Sequence, residues 1–421
     1  MPPEQLIAAV RQHNPDIVGL SGLLVKSAQM MVITGEDFAR AGITVPLLCG
    51  GAALTEKFVM TRIATAYGSP AIYAQDAMSG LDLAKQIVDP ARFPQLQERL
   101  AKRKAERYDK PAGAEPVKVL ATETTRCSHF AVLSEPPSPP DFARHILHDT
   151  PIDHIWQWIN PRMLYGRHLG IKGASMRLLE QAIDNPKALV ELRESDPGAW
   201  KVVQMVAEVK EQFRHSPLFT AKAVYRHFRA ASEGNALHLY TPEGGPQPVL
   251  TLALPRQPGK DGICLADLVN PVGAAPDNFA MFVTTIGTNL RATADELLKQ
   301  GEYLRGHVLL SLAIESAEGY AELLHRDLRR GWGIVDDPKG SQLEIFKAHY
   351  QGRRYSFGYP ACPNLEDQRV IWNLLRPEEI GCQLTEEFMM DPEASVSALA
   401  FHHPQARYFN AASPAGSSDD A

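Results

Sequence analysis

The segment RYSFGYPACP, residues 354–363, is the part of the sequence best suited to binding chemistry. Its two prolines and one glycine within ten residues exclude a regular helix, so we predict a rigid, irregular loop. Arg354 could grip a carboxylate through two parallel hydrogen bonds, and Tyr355 and Tyr359 add aromatic surface beside it. The alternative is a structural loop in which Arg354 makes an ordinary salt bridge.

Small residues follow two predicted strands near the N-terminus. Ser21 and Gly22 end the strand DIVGL, and Gly50 and Gly51 follow the strand ITVPLLC. Doubly wound sheets bind ligands at the carboxyl ends of their strands, where glycine lets a backbone approach closely. Ser21 could donate its hydroxyl there and Ala77 could leave room for a ring, although plain strand-to-helix turns would use the same residues. The absence of GxGxxG and GxxxxGK[ST] motifs argues against a dinucleotide or a P-loop nucleotide.

The cysteines and histidines are not spaced as metal ligands. The five cysteines form no CxxC pair, and neither histidine cluster has partners at zinc-ligand spacing. The residues concerned are Cys49, Cys127, Cys264, Cys362 and Cys382, with His145, His148 and His154 and the pair His402 and His403. Cys362 has no base beside it in the sequence, so we expect a buried, inert thiol. We predict no metal site and no disulfide framework.

Composition excludes several classes of protein. The 421 residues carry 43 Lys and Arg against 49 Asp and Glu, a net charge of −6, whereas nucleic-acid binders show a basic surplus. No apolar run reaches the ~18–20 residues of a transmembrane helix. The N-terminus lacks the pattern of a secretory signal. We expect a cytoplasmic protein that binds neither nucleic acid nor membranes.

The elements that must position these residues change in character along the chain. Strands alternate with helices in the first part, which predicts a parallel, doubly wound sheet with only three strands visible. The predicted helices there are 3–13, 27–41, 55–66 and 77–87, and the strands are 16–20, 43–49 and 71–73. Residues 93–108 predict a solvated linker helix, with a domain boundary near 108.

The second part of the chain predicts an α+β domain with antiparallel strands and long helices, because its strands are not joined by single crossover helices. We predict helices at 172–184, 199–214, 219–229 and 290–329, and strands at 236–240, 248–254 and 278–285. The small, polar tail is expected to be disordered.

Two groups of motifs resemble vitamin B12-dependent methionine synthase. The segments PDIVGLSGLLVKS (15–27), VPLLCGGAALTEKFV (45–59) and YAQDAMSGLDLA (73–84) resemble the later half of its cobalamin-binding domain. The segments CLADLVNP (264–271), AELLHRDLRRGWG (321–333), RYSFGYPACPNLEDQ (354–368) and LTEEFMMDPEASVSALAFHHPQARYF (384–409) resemble its activation domain. The resemblance covers residues 3–411. It implies a partial, flavodoxin-like cobalamin-binding domain at 1–107, a linker and the start of the activation domain at 108–140, the activation domain at 141–411 and a disordered tail at 412–421.

The resemblance implies a methyltransferase of methionine biosynthesis. In this family the cobalt of methylcobalamin carries a methyl group from methyltetrahydrofolate to homocysteine, and cob(II)alamin forms when the reduced cobalt is oxidised. The activation domain then binds S-adenosylmethionine, and one electron from flavodoxin or a flavoprotein reductase, together with the methyl group of the sulfonium, restores methylcobalamin. The cofactor carries the difficult chemistry, and the protein positions it.

The family also implies roles for residues that are weak signals by themselves. Arg354 would grip the carboxylate of S-adenosylmethionine, Asp153 would bind its ammonium and Glu318 would add a polar contact. Tyr408 and Phe409 would line the adenosine, and Tyr359 would lie near the sulfonium and the cobalamin face. The residues implied around the nucleotide tail of cobalamin are Ser21, Val25, Gly50, Gly51 and Ala77.

Several departures from the family limit what this chain is expected to do by itself. Val25 replaces the threonine of many members, and the DxHxxG loop, whose histidine is the lower axial ligand of cobalt, is missing. The first strands of the cobalamin fold, the zinc-bearing homocysteine domain and the folate domain are missing too. We expect a chain that makes no methionine alone and could be completed by a separate N-terminal chain. The alternatives are a non-catalytic corrinoid or S-adenosylmethionine binder and an inactive fragment.

Overall fold

The computed structural model describes residues 3–22, 25–51, 54–75, 77–107, 126–259, 261–287, 290–337, 340–385 and 388–411. The chain divides into two compact units, Met1–Lys118 and Val119–Ala421. The predicted disordered tail, 412–421, and residues 108–125 of the predicted linker lie outside the described residues.

The first unit is a parallel sheet with helices. Its elements are α1 (Pro3–His13), β1 (Val18–Ser21), α2 (Val25–Arg40), β2 (Leu47–Gly50), α3 (Glu56–Phe58), a π-helical turn (Val59–Ile63), α4 (Ala64–Tyr67), β3 (Ala71–Ala74), α5 (Ala77–Ile87) and α6 (Phe93–Arg107). The strands pair in the order β1-β2-β3. The apolar runs predict these strands correctly because both faces of the sheet are covered by helices.

The helix α6 is not the solvated linker helix that its charge predicts. Leu96 is 1% exposed and packs with Ile72 of β3 and Ile87 of α5. Phe93 and Leu100 pack against the same cluster, so one apolar stripe of α6 covers the sheet while the charged side chains face outward. The sequence pattern hid this stripe because five of the fifteen residues of the helix are Lys or Arg.

The second unit is built on a seven-stranded antiparallel sheet in the order β7-β6-β5-β8-β12-β9, with β4 pairing beside β5. Its strands are β4 (Arg144–Leu147), β5 (Ala221–Glu233), β6 (Ala236–Tyr240), β7 (Leu250–Ala253), β8 (Asp277–Ile286), β9 (Arg353–Tyr355) and β12 (Ser395–Phe401), and β10 (Gln383–Leu384) pairs separately with β11 (Met390–Asp391). Its helices are α7 (Ile152–Trp156), a π-helical segment (Arg162–His168), α8 (Gly173–Gln181), α9 (Ala188–Ser195), α10 (Pro197–Phe213), α11 (Leu290–Lys299), α12 (Tyr303–Gly331), α13 (Gln342–Phe346) and α14 (Arg369–Leu375).

The large sheet is buried on both faces. Along β8, Ala280 and Phe282 join the core beneath α7, α10, α11 and α12, whereas Phe279 and Met281 join a second core with α14. All residues of β8 are buried, which explains why the central strands read as continuous apolar runs. The long helix α12 crosses one face of this sheet and is the main support of the site described below.

Two sequence predictions for this unit are wrong. Residues 219–229, predicted as a helix, form most of β5, which pairs with β8 from Ala221 to Ala230. The helix predicted over 290–329 is two helices, because Gly301 adopts a left-handed conformation (φ 83°) between α11 and α12.

The predicted fold class is confirmed: a three-stranded parallel α/β region precedes an antiparallel sheet with helices. Within the described ranges, every helix is too short or too polar to cross a membrane.

Candidate functional site

One face of α12 carries three glutamates at helical spacing. Glu315, Glu318 and Glu322 follow one another at intervals of three and four residues, which places them on the same side of the helix. Glu315 is buried and shares a hydrogen bond of 2.9 Å with Nε2 of His168. The next two glutamates both face Arg354.

Arg354 reaches α12 from β9 at the edge of the large sheet. Its backbone pairs with Ala400 of β12, and its guanidinium spans the two glutamates. Nη1 donates a short hydrogen bond to Oε2 of Glu322, and Nη2 lies 3.5 Å from Oε2 of Glu318. Burial alone would lower the pKa of Arg354, but Glu322 and its other neighbours raise it well above its usual value.

Glu318 is the more accessible of the two partners of Arg354. Its side chain is 42% exposed, against 11% for Glu322. Desolvation raises the pKa of Glu318; Arg354 opposes this rise and Glu315 and Glu322 add to it. The rise is consistent with the geometry, since Arg354 is shared with a closer carboxylate.

The loop after β9 is held in a tight, irregular turn. Gly358 has φ 86°, its N–H donates to the carbonyl of Cys362 at 2.9 Å, and the N–H of Cys362 donates to the carbonyl of Tyr359 at 2.9 Å. The thiol of Cys362 is buried, and burial raises its pKa to about 12. The turn leaves Tyr359 62% exposed at its tip.

Two aromatic residues after β12 lie against the same region. The rings of Tyr408 and Phe409 pack on Tyr355, at centroid distances of 5.6 and 6.2 Å. The hydroxyl of Tyr355 donates to the carbonyl of Arg407 at 2.7 Å, which fixes this segment beside β9. Tyr408 remains 56% exposed. Desolvation raises the pKa of Tyr408, and the charges acting on it include those of Arg354 and both glutamates.

Asp153 lies on α7, which packs against α12. The backbone of residues 155–159 approaches Gly319 so closely that a Cβ there would lie 3.1 Å from the carbonyl oxygen of Ile155. Asp153 accepts a short hydrogen bond from Arg214, next to the ring of Trp156. The structure therefore places Asp153 on a helix that packs against α12, and its carboxylate pairs with Arg214.

The predicted cobalamin residues lie at the carboxyl edge of the small sheet. Ser21 ends β1, Gly50 ends β2, and the N–H of Gly22 donates to the carbonyl of Gly50 at 2.9 Å. Gly51 has φ 116°, and a Cβ there would lie 2.2 Å from the carbonyl oxygen of Gly22. Only glycine fits this crossing of two loops. Val25 and Ala77 begin α2 and α5, but their side chains lie outside the described part of the structure.

Sequence reasoning missed Glu322 and the pair formed by Glu315 and His168. The spacing of the three glutamates was visible, but pairing them with Arg354 requires knowing that β9 crosses α12. Within the described ranges, no three His, Cys, Asp or Glu residues are grouped as metal ligands.

Comparison with known proteins gives the same family on three grounds. Residues 182–415 match the family described as the activation domain of vitamin B12 dependent methionine synthase. The methionine synthases of Mycobacterium tuberculosis and Mycobacterium leprae are 29% and 28% identical, over 96% and 97% of this chain. The chain spans 35% of the length of each of these curated relatives.

A solved structure is similar as well. The crystal structure of the MetH reactivation domain bound to AdoHcy aligns with a TM-score of 0.57 and 26% identity. The alignment covers 66% of this chain and 83% of that one.

Proposed function

The chain belongs to the family of the vitamin B12-dependent methionine synthase activation domain, and from this premise we propose that it binds S-adenosylmethionine and supports the reductive methylation of cobalamin. The observation that carries the proposal is the guanidinium of Arg354, held between Glu318 and Glu322. The exposed rings of Tyr359 and Tyr408 belong to the segments on either side of it. The AdoHcy bound to the similar reactivation domain supports the class of ligand.

The amino-acid end of the ligand would enter between Arg354 and Glu318. The contact between these two side chains is long, at 3.5 Å, and Glu318 is partly exposed, so a ligand can replace it at small cost. The ligand carboxylate would then bind Arg354, and its ammonium would bind the freed Glu318 together with Asp153. A zwitterion inserted in this way satisfies every charge that it separates.

The aromatic residues would bind the rest of the ligand. Tyr408 and Phe409 would contact the adenosine, and the face of Tyr359 would attract the positive sulfonium through its ring quadrupole. Methyl transfer from a sulfonium needs alignment rather than a general acid or base, so positioning is the catalytic contribution expected of these residues.

Cobalamin would bind the small sheet through its nucleotide tail. The loops at Ser21, Gly50 and Gly51 support this placement because they lie at the carboxyl ends of parallel strands, where doubly wound sheets bind ligands. Val25 and Ala77 are proposed to flank the same tail. When bound, cobalamin supplies the cobalt that accepts the methyl group.

We extend the proposal to the whole enzyme on family grounds. The full reaction would convert homocysteine and 5-methyltetrahydrofolate to methionine and tetrahydrofolate in the cytoplasm. Flavodoxin or a flavoprotein reductase would supply the electron, and a separate N-terminal chain could supply the homocysteine and folate domains. Mixing the two chains and assaying methionine formation tests this part.

Binding of the ligand can be tested directly. Calorimetry of the purified chain with S-adenosylmethionine should give saturable binding, and Arg354→Lys should weaken it by at least about tenfold, since lysine cannot form the two-pronged contact. Arg369→Lys is the matched control, because Arg369 is exposed and pairs with nearby Glu366, away from Arg354 in the sequence. Ligand at about 100 times Kd should also add ~2.7 kcal/mol of stability. A folded wild-type chain without binding, or equal binding by Arg354→Lys, would refute the proposal.

A further inference from the structure

Glu322 is a buried charge with one unused oxygen. The residue is 8% exposed, and its Oε2 accepts the short hydrogen bond from Arg354. Its Oε1 is inaccessible to solvent and has no hydrogen-bond partner among the described residues. A buried carboxylate oxygen without a donor is costly, so fold stability alone does not explain a glutamate at this position.

Glu322 and Glu318 hold Arg354 differently although they lie one turn apart. The bond to Glu322 is short and enclosed, whereas the contact with Glu318 is 3.5 Å long and its side chain is 42% exposed. A ligand arriving from solvent can displace Glu318 and cannot reach Oε1 of Glu322. The two carboxylates are thus suited to different tasks.

Other neighbours of Arg354 cannot replace this counter-charge. Arg329 is buried nearby, stacks on the ring of Tyr350 at 4.0 Å and is neutralised by Asp336. His325 is fully buried with both ring nitrogens unpartnered within the described structure, and burial together with the arginine charges keeps it neutral. Without Glu322, the carboxylate left to orient the guanidinium within the described part of the chain would be the more exposed Glu318.

We propose that Glu322 is a positioning residue for ligand recognition: it fixes the guanidinium of Arg354 in the orientation that meets the carboxylate of the ligand, without touching the ligand itself. The inference rests on the proposed function. In this scheme the buried Glu322 orients the guanidinium of Arg354, and the more exposed Glu318 is displaced from it by the ligand. Its effect is confined to ligands that carry a carboxylate, because only they use Arg354.

This confinement gives the test. The probes are S-adenosylhomocysteine, which has the amino-acid end, and 5′-methylthioadenosine, which keeps the adenosine and lacks that end. We expect Glu322→Gln to raise the Kd for S-adenosylhomocysteine by about tenfold, the loss of one well-aligned bond to a charged group. The Kd for 5′-methylthioadenosine should change by less than about twofold. Glu366→Gln, an exposed carboxylate of the same unit, is the matched control.

Coulomb attraction alone predicts the opposite sign, since removing a negative charge beside Arg354 favours an incoming carboxylate. Unchanged or tighter binding of S-adenosylhomocysteine by Glu322→Gln would therefore overturn the inference. An equal loss for both ligands would also overturn it, because that result indicates general damage to the site. A wild-type chain that binds neither probe would instead refute the proposed function.

A second measurement needs no ligand. In ¹⁵N spectra of the arginine side chains, the guanidinium held by Glu322 should rotate slowly and show separate Nη resonances in the wild type. Arg354→Lys removes and so assigns these resonances. Their collapse to a single averaged signal in Glu322→Gln supports the inference, and their persistence refutes it even if every variant is well folded.

Discussion

Gly319 offers the sharpest test of how the site is assembled. It lies on α12 beside Glu318, where the backbone of the segment carrying Asp153 crosses the helix. A Cβ at this position would lie 3.1 Å from the carbonyl oxygen of Ile155 and 3.2 Å from both the amide nitrogen of Ile159 and the carbonyl carbon of Trp158. All three atoms are backbone, so none can rotate away.

The substitution Gly319→Ala sets two effects against each other. Alanine favours the helix by about 1 kcal/mol over glycine. Overpacking at a well-packed contact costs about 1–3 kcal/mol. We expect a net loss of ~1 kcal/mol, together with weaker binding of S-adenosylhomocysteine, because the segment of residues 155–159 must shift relative to α12 and α7, which carries Asp153, is joined to it.

The assay is urea unfolding of the full chain, followed by calorimetry on the folded variant. Gly198→Ala is the control, since Gly198 lies in α10 and an added Cβ meets only a side-chain oxygen of Asp196 at 3.4 Å. The control should be neutral or slightly stabilising. If Gly319→Ala is as stable as this control and binds ligand normally, the close approach of the two segments does not set the geometry of the site.

Three further predictions concern burial. His227 is 4% exposed, and desolvation lowers its pKa to about 4. Because the unfolded state therefore binds the proton first as the pH falls, the free energy of unfolding should fall by up to roughly 3 kcal/mol between pH 6.5 and 4. His227→Phe should flatten this pH dependence in urea titrations at several pH values, and an unchanged slope would contradict the assignment. Leu96→Ala should cost the first unit about 2–5 kcal/mol, and more than Leu100→Ala, in urea unfolding, whereas equal costs would mean that α6 does not pack as described. Burial raises the pKa of four cysteines to about 12; they are Cys49, Cys264, Cys362 and Cys382. A thiol reagent should therefore label these four thiols only at the rate of unfolding. Rapid labelling of these thiols in the native chain would exclude their burial.

The parts of the fold that the sequence predicts are those with one clear local signal. The three strands of the first unit are apolar runs that end in small residues, and β6 and β8 are apolar runs between turns. The strand β5 fails this test. Its sequence AKAVYRHFRAASE mixes alanines and basic residues that favour helices, and its burial does not alternate, because β4, β6 and β8 pair with it over different stretches.

A missed signal explains the error at the break between α11 and α12. Lys299 and Gly301 form the usual end of a helix, a basic residue in the last turn followed by a left-handed glycine. The apolar periodicity on both sides hid this break.

The candidate site was predictable only where one segment carries the chemistry. The loop around Tyr359 can be recognised from its composition, and Arg354 within it is the residue that the sequence predicts to bind an anion. Glu322 could not be found in this way, because its role depends on β9 crossing α12 some thirty residues earlier in the chain. Such pairings are set by the order of strands in the sheet, and single-sequence patterns do not contain that order.

The helix α12 explains how packing and binding can share one element. Its buried residues cover the large sheet, while the glutamates that face Arg354 lie on the side reached by β9. Gly319 lies between these glutamates in the sequence, and its lack of a side chain lets the backbone of residues 155–159 pack closely against α12. A larger residue there would push away the backbone of residues 155–159, and a neutral residue at 322 would remove the closer of the two carboxylates that contact Arg354. The spacing of small and acidic residues on α12 thus sets how closely residues 155–159 approach the helix and where the guanidinium of Arg354 is held.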